Sequence, residues 1–228
     1  MAAQVSPPVF EVFPEVAFAF YAELEEPDNN SKAWFDVNRE RYQRDVRRPL
    51  EALLAAAAEE FGTHAKVFRP HRDVRFSPDK SPYKTNAAAL ITMDGLDGAA
   101  SYYVALDAEG IAAGVGYGGF SREQLQRYRD AVDDERFGPE LRELVEVARA
   151  AGFELGGRTL VRGPRGVAAD HPRLDLLCHT TMTLVRSFPE DEVADWPAAA
   201  ELVLSTWREG TPVARWLTRH LAEGATDR

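Results

Sequence analysis

The order of hydrophobic periodicities along the 228 residues is the feature that most constrains the fold. Apolar residues recur at helical spacing over Pro14–Phe61, and short alternating patterns typical of strands follow over Lys66–Val115. Helical spacing returns over 121–150, a threonine-rich strand is predicted over Leu176–Val185, and the chain continues as helix from Val193. Consecutive strands without helices between them favour antiparallel pairing and exclude a fold of alternating βαβ units.

We therefore predict a single α+β domain over residues 1–228, in which a mostly antiparallel sheet is flanked by N- and C-terminal helices. Residues 1–13 are predicted to form a flexible or extended tail, because Pro7 and Pro8 interrupt regular structure there. The Asp107–Gly110 stretch is typical of a hairpin turn, and Ser31 is a suitable N-cap for the second helix. No internal repeat or low-complexity linker divides the chain.

Composition excludes several classes of protein. A hydrophobic fraction of 45% is too high for a disordered chain, and the single cysteine, Cys178, has no partner for an intramolecular disulfide. The formal net charge of −10 would repel DNA, RNA or an anionic membrane, so neither a nucleic acid nor a membrane is expected as a partner. The apolar runs are also too short to span a bilayer.

The N-terminal residues and the balance of basic residues indicate a compartment and a source. The first eight residues lack the basic and apolar regions of a signal peptide, and together with the single cysteine this predicts a cytoplasmic protein. Only four of the 27 basic residues are lysine, and the rest are arginine. With frequent alanine, this favours a GC-rich bacterial genome.

The segment Arg69–Lys84 reverses the acidic balance and is the strongest functional signal in the chain. Its five basic and two acidic residues give a local charge of +3, which leaves −13 for the remainder. Three prolines restrict its backbone, and its guanidinium and ammonium groups suit a carboxylate or a phosphate. The residues predicted to bind such an anion are Arg72, Arg75, Lys80, Tyr83 and Lys84. The structural alternative is a loop in which Asp73 and Asp79 neutralise the neighbouring arginines.

Two shorter motifs resemble catalytic or nucleotide-binding motifs, but their contexts disagree with both functions. Ser77–Lys80 matches the S-x-x-K string of serine acyl-enzymes, yet the downstream partner strings are missing, which favours Ser77 as the cap of a turn. Gly114–Gly119 matches G-x-G-x-x-G, yet a second helix follows where a dinucleotide site needs a parallel strand. The glycines are instead expected to permit a bulge or a close backbone approach at a sheet end.

Metal ligands show no recognisable spacing, since H-x-x-x-H, H-E-x-x-H and C-x-x-C are all missing from the sequence. We therefore predict no metal site and no cofactor. No nucleophile or general base stands out, so the sequence leaves open whether the chain is an enzyme.

A second irregular loop, Arg162–Pro172, carries two further candidate residues. Arg165 is predicted to add positive charge to the anion site, and His171 is predicted to form an acid–base pair with Asp170. The alternative is that Asp170 caps a helical turn that Pro172 begins, and the local cap signals favour this alternative.

These segments resemble the uncharacterised family called domain of unknown function 2461. Arg72–Lys84 reads like its R-D-x-R-F-S-x-D-K-x-P-Y-K signature, and Asn30–Phe35 is similar to its N-N-R/K-x-W-F motif, with Ser31 in place of the second asparagine. The resemblance extends from about Pro14 to Leu221. It implies a single cytoplasmic domain of unassigned activity and supplies no catalytic residues.

We predict that the chain binds a small anionic ligand, phosphorylated compounds included, through the Arg69–Lys84 segment. The alternative is a non-enzymatic interaction module in which the same segment recognises an acidic segment of a partner protein. A nucleic-acid role ranks third, because +3 is a small footprint beside the acidic remainder. A concave pocket would favour the small ligand if it is lined by the four predicted cationic side chains, Arg72, Arg75, Lys80 and Lys84. A flat exposed loop would favour the protein partner. The sequence sets no oligomeric state.

Overall fold

The computed structural model describes residues 14–93, 99–193 and 195–222. The tail predicted over residues 1–13 lies outside the described residues. Within the described ranges, local signals account for where helices begin: the Ser31 hydroxyl accepts the amide of Trp34 at 3.3 Å, and Ser121 and Gln124 form a reciprocal capping box. The predicted N-cap at Ser31 is confirmed.

Helices occupy both ends of the described chain and a stretch between the fourth and fifth strands, and one short helix lies between the fifth and sixth strands. The α-helices are α1 (Pro14–Glu25), α2 (Lys32–Val37), α3 (Arg39–Tyr42), α4 (Arg48–Phe61), α5 (Arg122–Asp133), α6 (Phe137–Ala150), α7 (Leu174–Leu177) and α8 (Trp196–Leu221). A π-helical turn over Gln43–Arg47 precedes α4, and a 3₁₀ turn covers Glu190–Glu192.

Among the described residues, six strands form one antiparallel sheet in the order β1-β2-β3-β4-β6-β5. Their bounds are β1 (His64–Val67), β2 (Ala87–Thr92), β3 (Ser101–Leu106), β4 (Gly110–Tyr117), β5 (Glu154–Gly156) and β6 (Met182–Pro189). In the β5–β6 pair, Glu154 lies opposite Val185 and Gly156 opposite Thr183. The predicted α+β class with an antiparallel sheet is confirmed, as is the hairpin turn at Asp107–Gly110, where the Asp107 amide donates to the Gly110 carbonyl at 3.1 Å.

The strand predicted over Leu176–Val185 is wrong at both ends, since β6 begins at Met182 and continues to Pro189. Leu176 instead belongs to α7, whose turn is closed by the Cys178 amide donating to Leu174 and the His179 amide donating to Leu176, each at 3.0 Å. Backbone groups that are paired within a helical turn cannot also join a sheet ladder.

The described chain divides into two compact units, each with its own buried side chains. The first comprises the chain up to Ile91 together with Val104–Ala112 and Ser187–Leu204. Its largest buried side chains are Phe20, Tyr21, Leu24, Phe35, Leu50 and Leu53. The second comprises Thr92–Tyr103, Ala113–Arg186 and the chain from Ser205, and it buries Tyr128, Leu141, Trp207 and Trp216. That residues 1–228 form a single domain stays a prediction.

Glycines in β4 allow its backbone to lie against β6 within the second unit. A Cβ atom at Gly114 would lie 2.1 Å from the Leu184 carbonyl oxygen, and one at Gly116, whose φ is +142°, would lie 2.2 Å from that of Met182. Both distances are far inside van der Waals contact. The expectation that the glycines permit a close backbone approach is therefore confirmed at these two positions, whereas Gly118 has open space around it.

This geometry predicts that Gly114→Ala destabilises the fold while Gly118→Ala does not. The added methyl group at residue 114 must displace the β6 backbone, so we expect the free energy of unfolding in urea to fall by about 3 kcal/mol. At the exposed residue 118 the change should stay within about 0.5 kcal/mol. Equal losses for the two variants would contradict the close approach.

Candidate functional site

Tyr83 anchors one end of the Arg69–Lys84 segment, here called the basic loop, inside the first unit. Its backbone amide donates to Asn30 Oδ1 at 3.0 Å, and Asn30 Nδ2 donates to its carbonyl at 3.1 Å. Its ring stacks on Phe35 with the ring centres 4.0 Å apart and the planes 10° from parallel. Only 2% of Tyr83 is exposed. Asn30, Phe35 and Tyr83 together are called the Tyr83 anchor below.

The position of the Asn30 side chain follows from the helix start beside it. Because Ser31 caps α2, Asn30 stands just before the helix, and its amide is paired with the Tyr83 backbone. Burial, and then the nearby Asp36 carboxylate, raise the pKa of the Tyr83 hydroxyl. The sequence predicted Tyr83 as a ligand-binding residue; the structure gives it an anchoring role, and a ligand contact stays a prediction.

Two backbone hydrogen bonds close the base of the basic loop. The Arg72 amide donates to the Pro82 carbonyl at 2.9 Å, and the Lys84 amide donates to the Pro70 carbonyl at 2.8 Å. His71 and Tyr83 form an antiparallel bridge between these two bonds, with their ring centres 5.0 Å apart. The loop therefore has a fixed base from which residues 73–81 extend.

The two arginines of the basic loop that were predicted to bind an anion, Arg72 and Arg75, are paired with carboxylates of the same loop. Arg75 Nη2 lies 2.6 Å from Asp73 Oδ2 and Arg75 Nε lies 2.9 Å from Asp73 Oδ1, and Arg72 is bonded to Asp79. The Arg75 side chain lowers the pKa of Asp73, and the Ser81 hydroxyl and amide, followed by Arg72, lower the pKa of Asp79. This pairing is the structural alternative that the sequence left open.

The two lysines of the predicted site have no carboxylate partner among the described residues. Lys80 Nζ donates to the Val74 carbonyl at 3.0 Å, and no hydrogen bond joins it to Ser77 among the described contacts. Lys84 Nζ lies 5.4 Å from the centre of the Phe68 ring, and Lys66 Nζ lies 5.2 Å from the same ring. Such contacts attract a cation to the ring face without neutralising it.

Phe76 lies in the basic loop with 94% of its surface exposed. The Arg75 guanidinium carbon lies 5.9 Å from the centre of its ring. The sequence interpretation overlooked Phe76, although an aromatic residue within a charged, aperiodic loop was a visible signal. A pocket of about 280 Å³ in the same unit is lined by residues including Asp107, Glu109 and Phe188, and none of the predicted site residues lines it.

The remaining two predicted residues, Arg165 and His171, belong to the second unit. Arg165 is exposed. His171 Nε2 lies 3.1 Å from Asp133 Oδ1, and its Nδ1 accepts the Arg173 amide at 3.1 Å. The predicted pairing of His171 with Asp170 is therefore wrong, because the turn closed by the His171 amide and the Ala168 carbonyl carries its ring to the end of α5.

The cap predicted at Asp170 is wrong as well, since α7 begins only at Leu174. The sequence also missed Arg173, of which 5% is exposed. Its Nε donates to the Val132 carbonyl at 2.7 Å and its Nη2 to the Asp133 carbonyl at 2.9 Å. A buried guanidinium that satisfies the last carbonyls of a helix is favoured by the negative end of the helix dipole. His171 and Arg173 thus hold the C-terminal end of α5.

The part of the chain that the structure describes contains neither a cluster of metal ligands nor a membrane-spanning helix. No group of three or more histidine, cysteine, aspartate or glutamate side chains converges there in an arrangement that could hold a metal ion. No helix there is both long and apolar enough to cross a membrane.

Comparison with known protein families gives a match over most of the chain. The family model described as Conserved hypothetical protein (DUF2461) matches residues 16–216. No curated protein and no solved structure matches the chain.

The Tyr83 anchor predicts that Asn30→Ala loosens the basic loop. The substitution leaves the Tyr83 amide and carbonyl without their partner, which costs about 1–3 kcal/mol of unfolding free energy when such groups are buried. Hydrogen exchange of the Arg72 and Lys84 amides should become faster. Asn29→Ala, which removes an exposed hydrogen bond to the Glu23 carbonyl, is the matched control and should leave exchange in the loop unchanged; an equal effect there would contradict the anchor.

His179, which lies opposite Thr159 in an antiparallel bridge, predicts a pH dependence of stability. Burial lowers the pKa of its imidazole, and its Nδ1 lies 3.1 Å from the Thr181 carbonyl. Below the unfolded pKa of about 6.5 the unfolded chain binds a proton that the folded chain does not, so stability falls as the pH falls. His179→Asn keeps a donor toward Thr181 without titrating. Between about pH 7 and pH 5, the urea midpoint of this variant should change less with pH than that of the wild-type chain. The same pH dependence in both proteins would refute the assignment.

Proposed function

The chain belongs to the DUF2461 family of conserved hypothetical proteins, and we propose that it acts as a protein-interaction module whose basic loop binds an acidic segment of a partner protein. The observation that carries the proposal is the exposure of Phe76 among the cations of a loop whose base is fixed. The contacts described above do not support the other geometry, a concave pocket lined by Arg72, Arg75, Lys80 and Lys84.

Phe76 supplies the apolar part of the proposed contact. Removing a phenylalanine side chain from water contributes about 1.5–3 kcal/mol, and aromatic residues and arginine are enriched among the residues that dominate interface energies. Arg75 lies beside the ring and is itself 76% exposed. An aromatic side chain and a guanidinium are thus presented together to an incoming segment.

The rigidity of the loop supports binding because less conformational entropy is lost on association. The Tyr83 anchor and the two backbone hydrogen bonds at the base hold the ends of the loop, and the Arg72–Asp79 and Arg75–Asp73 pairs restrict its side chains. A surface that is ordered before binding retains more of its contact energy as affinity.

The charge of the loop favours an acidic partner. Asp73 and Asp79 offset two arginines, and Lys80 and Lys84 remain without carboxylates among the described residues. A partner segment carrying aspartate or glutamate would therefore be attracted to this loop, and like-charged segments would be rejected.

Binding of a small anion is the second candidate, favoured by a separate observation. Lys66 and Lys84 both approach the Phe68 ring, and neither has a carboxylate partner in the described structure. Two ammonium groups at the same ring, neither paired with a carboxylate, suit a phosphate oxygen better than the neutralised arginines do.

Site-specific photocrosslinking in cells tests the first proposal. A photoreactive phenylalanine analogue at position 76 should capture a partner that the same analogue at Val147, an exposed position on α6, does not capture. The captured protein is then purified and its affinity for the full chain is measured. Phe76→Ala should weaken this affinity at least about tenfold, which corresponds to 1.4 kcal/mol, and Arg75→Glu should be rescued by a glutamate-to-arginine change in the partner.

Two outcomes would overturn this proposal: equal capture from positions 76 and 147, or an affinity that Phe76→Ala leaves unchanged. A thermal-shift titration with inorganic phosphate examines the second candidate. Concentration-dependent stabilisation that Lys84→Ala abolishes and Phe76→Ala preserves would assign the loop to a small anion instead.

A further inference from the structure

Residues 157–166 form an exposed loop that carries aliphatic and cationic side chains and no acidic side chain. Residues 157–163 are all exposed, Val161 completely so, and Leu160 at its side is 38% exposed. The loop also carries Arg158, Arg162 and Arg165. It is called the arginine loop here, and the interaction proposed above does not involve it.

The three guanidinium groups of the arginine loop are free of carboxylates within the described structure. Several other arginines of the second unit are paired: Arg142 with Asp175, Arg173 with Glu135 at 2.8 Å, and Arg186 with Glu209 at 2.5 Å. A chain with a net charge of −10 has many acids with which to neutralise an arginine. Three unpaired arginines in one short loop therefore point to a negative surface outside the chain.

The base of the loop is fixed, so its exposed residues keep their position. The Leu160 amide donates to the Cys178 carbonyl at 2.8 Å, and the Arg158 amide donates to Thr181 Oγ1 at 2.6 Å. Gly157 has a φ of +111°, and a Cβ there would lie 2.2 Å from the Thr181 carbonyl oxygen. Such a close approach admits only glycine, and it holds the chain at the point where the loop leaves the sheet.

We infer that the arginine loop docks on an anionic lipid surface, with Val161 and Leu160 entering the headgroup region and the three arginines contacting lipid phosphates. An aliphatic tip with flanking cations gains from apolar burial and from the negative surface potential together. Nucleic acid fits less well, because the loop offers no aromatic side chain on which a base can stack. An acidic peptide fits less well too, since the loop lacks the aromatic side chains that are enriched at protein interfaces.

A membrane contact at this loop is contrary to the prediction, made from the net charge of the whole chain, that no membrane is a partner. The charge of −10 is a sum over the whole chain, whereas charges more than about 8–10 Å from the contact are largely screened at physiological ionic strength. The loop itself carries three arginines and no acid, and acids beyond this distance contribute little to the potential at the contact.

Vesicle co-sedimentation of the full chain tests the inference. The protein should sediment with vesicles of phosphatidylglycerol and phosphatidylcholine in equal parts, and it should stay in the supernatant with phosphatidylcholine alone. Val161→Asp should lower the partition coefficient at least about tenfold, because it places a carboxylate where the acyl boundary would lie. Val147→Asp, a matched change at an exposed valine of α6 in the same unit, should leave partitioning unchanged.

A gain-of-binding variant keeps the test decisive if Val161→Asp affects folding. Val161→Trp should raise the partition coefficient several-fold, and its fluorescence should shift to shorter wavelength on addition of the anionic vesicles. Absence of binding to phosphatidylglycerol vesicles would overturn the inference. Equal losses for Val161→Asp and Val147→Asp, or RNA or an acidic peptide binding with the same dependence on Val161, would also overturn it.

Discussion

The pair of hydrogen bonds between the Asn30 amide and the Tyr83 backbone is the constraint on which the candidate site depends. It joins segments 53 residues apart, and the Phe35 ring covers the junction. The two motifs that carry the family resemblance therefore meet in space, one contributing Asn30 and Phe35 and the other Tyr83. Their shared role in the described structure is to hold the basic loop, and no described contact requires them for chemistry.

The distribution of paired and unpaired cations separates structural charges from those available to a partner. Arg72 and Arg75 are matched by aspartates two to seven residues away, so they shape the loop that carries them. Lys80 and the arginines of the 157–166 loop have no carboxylate within the described chain. Net charge could not distinguish these groups, because a sum over 228 residues does not record which charges are already matched.

Parts of the fold that depend on neighbours in sequence were predictable. The cap at Ser31, the Asp107–Gly110 turn and the order of helices and strands follow from local hydrogen bonds and hydrophobic period. The prediction failed at Leu176, where a helical turn competes with a strand of the same apolar composition. Single-sequence periodicity cannot separate the two over so few residues.

The sequence by itself determined the α+β class, the antiparallel sheet and the presence of a basic loop, because each rests on patterns a few residues long. Only the tertiary structure decided that Tyr83 is buried in an anchor, that His171 pairs with Asp133 and that Phe76 faces solvent. The physical reason is distance along the chain. Burial and pairing of a side chain are set by residues dozens of positions away, and a single sequence does not state which of them it will meet.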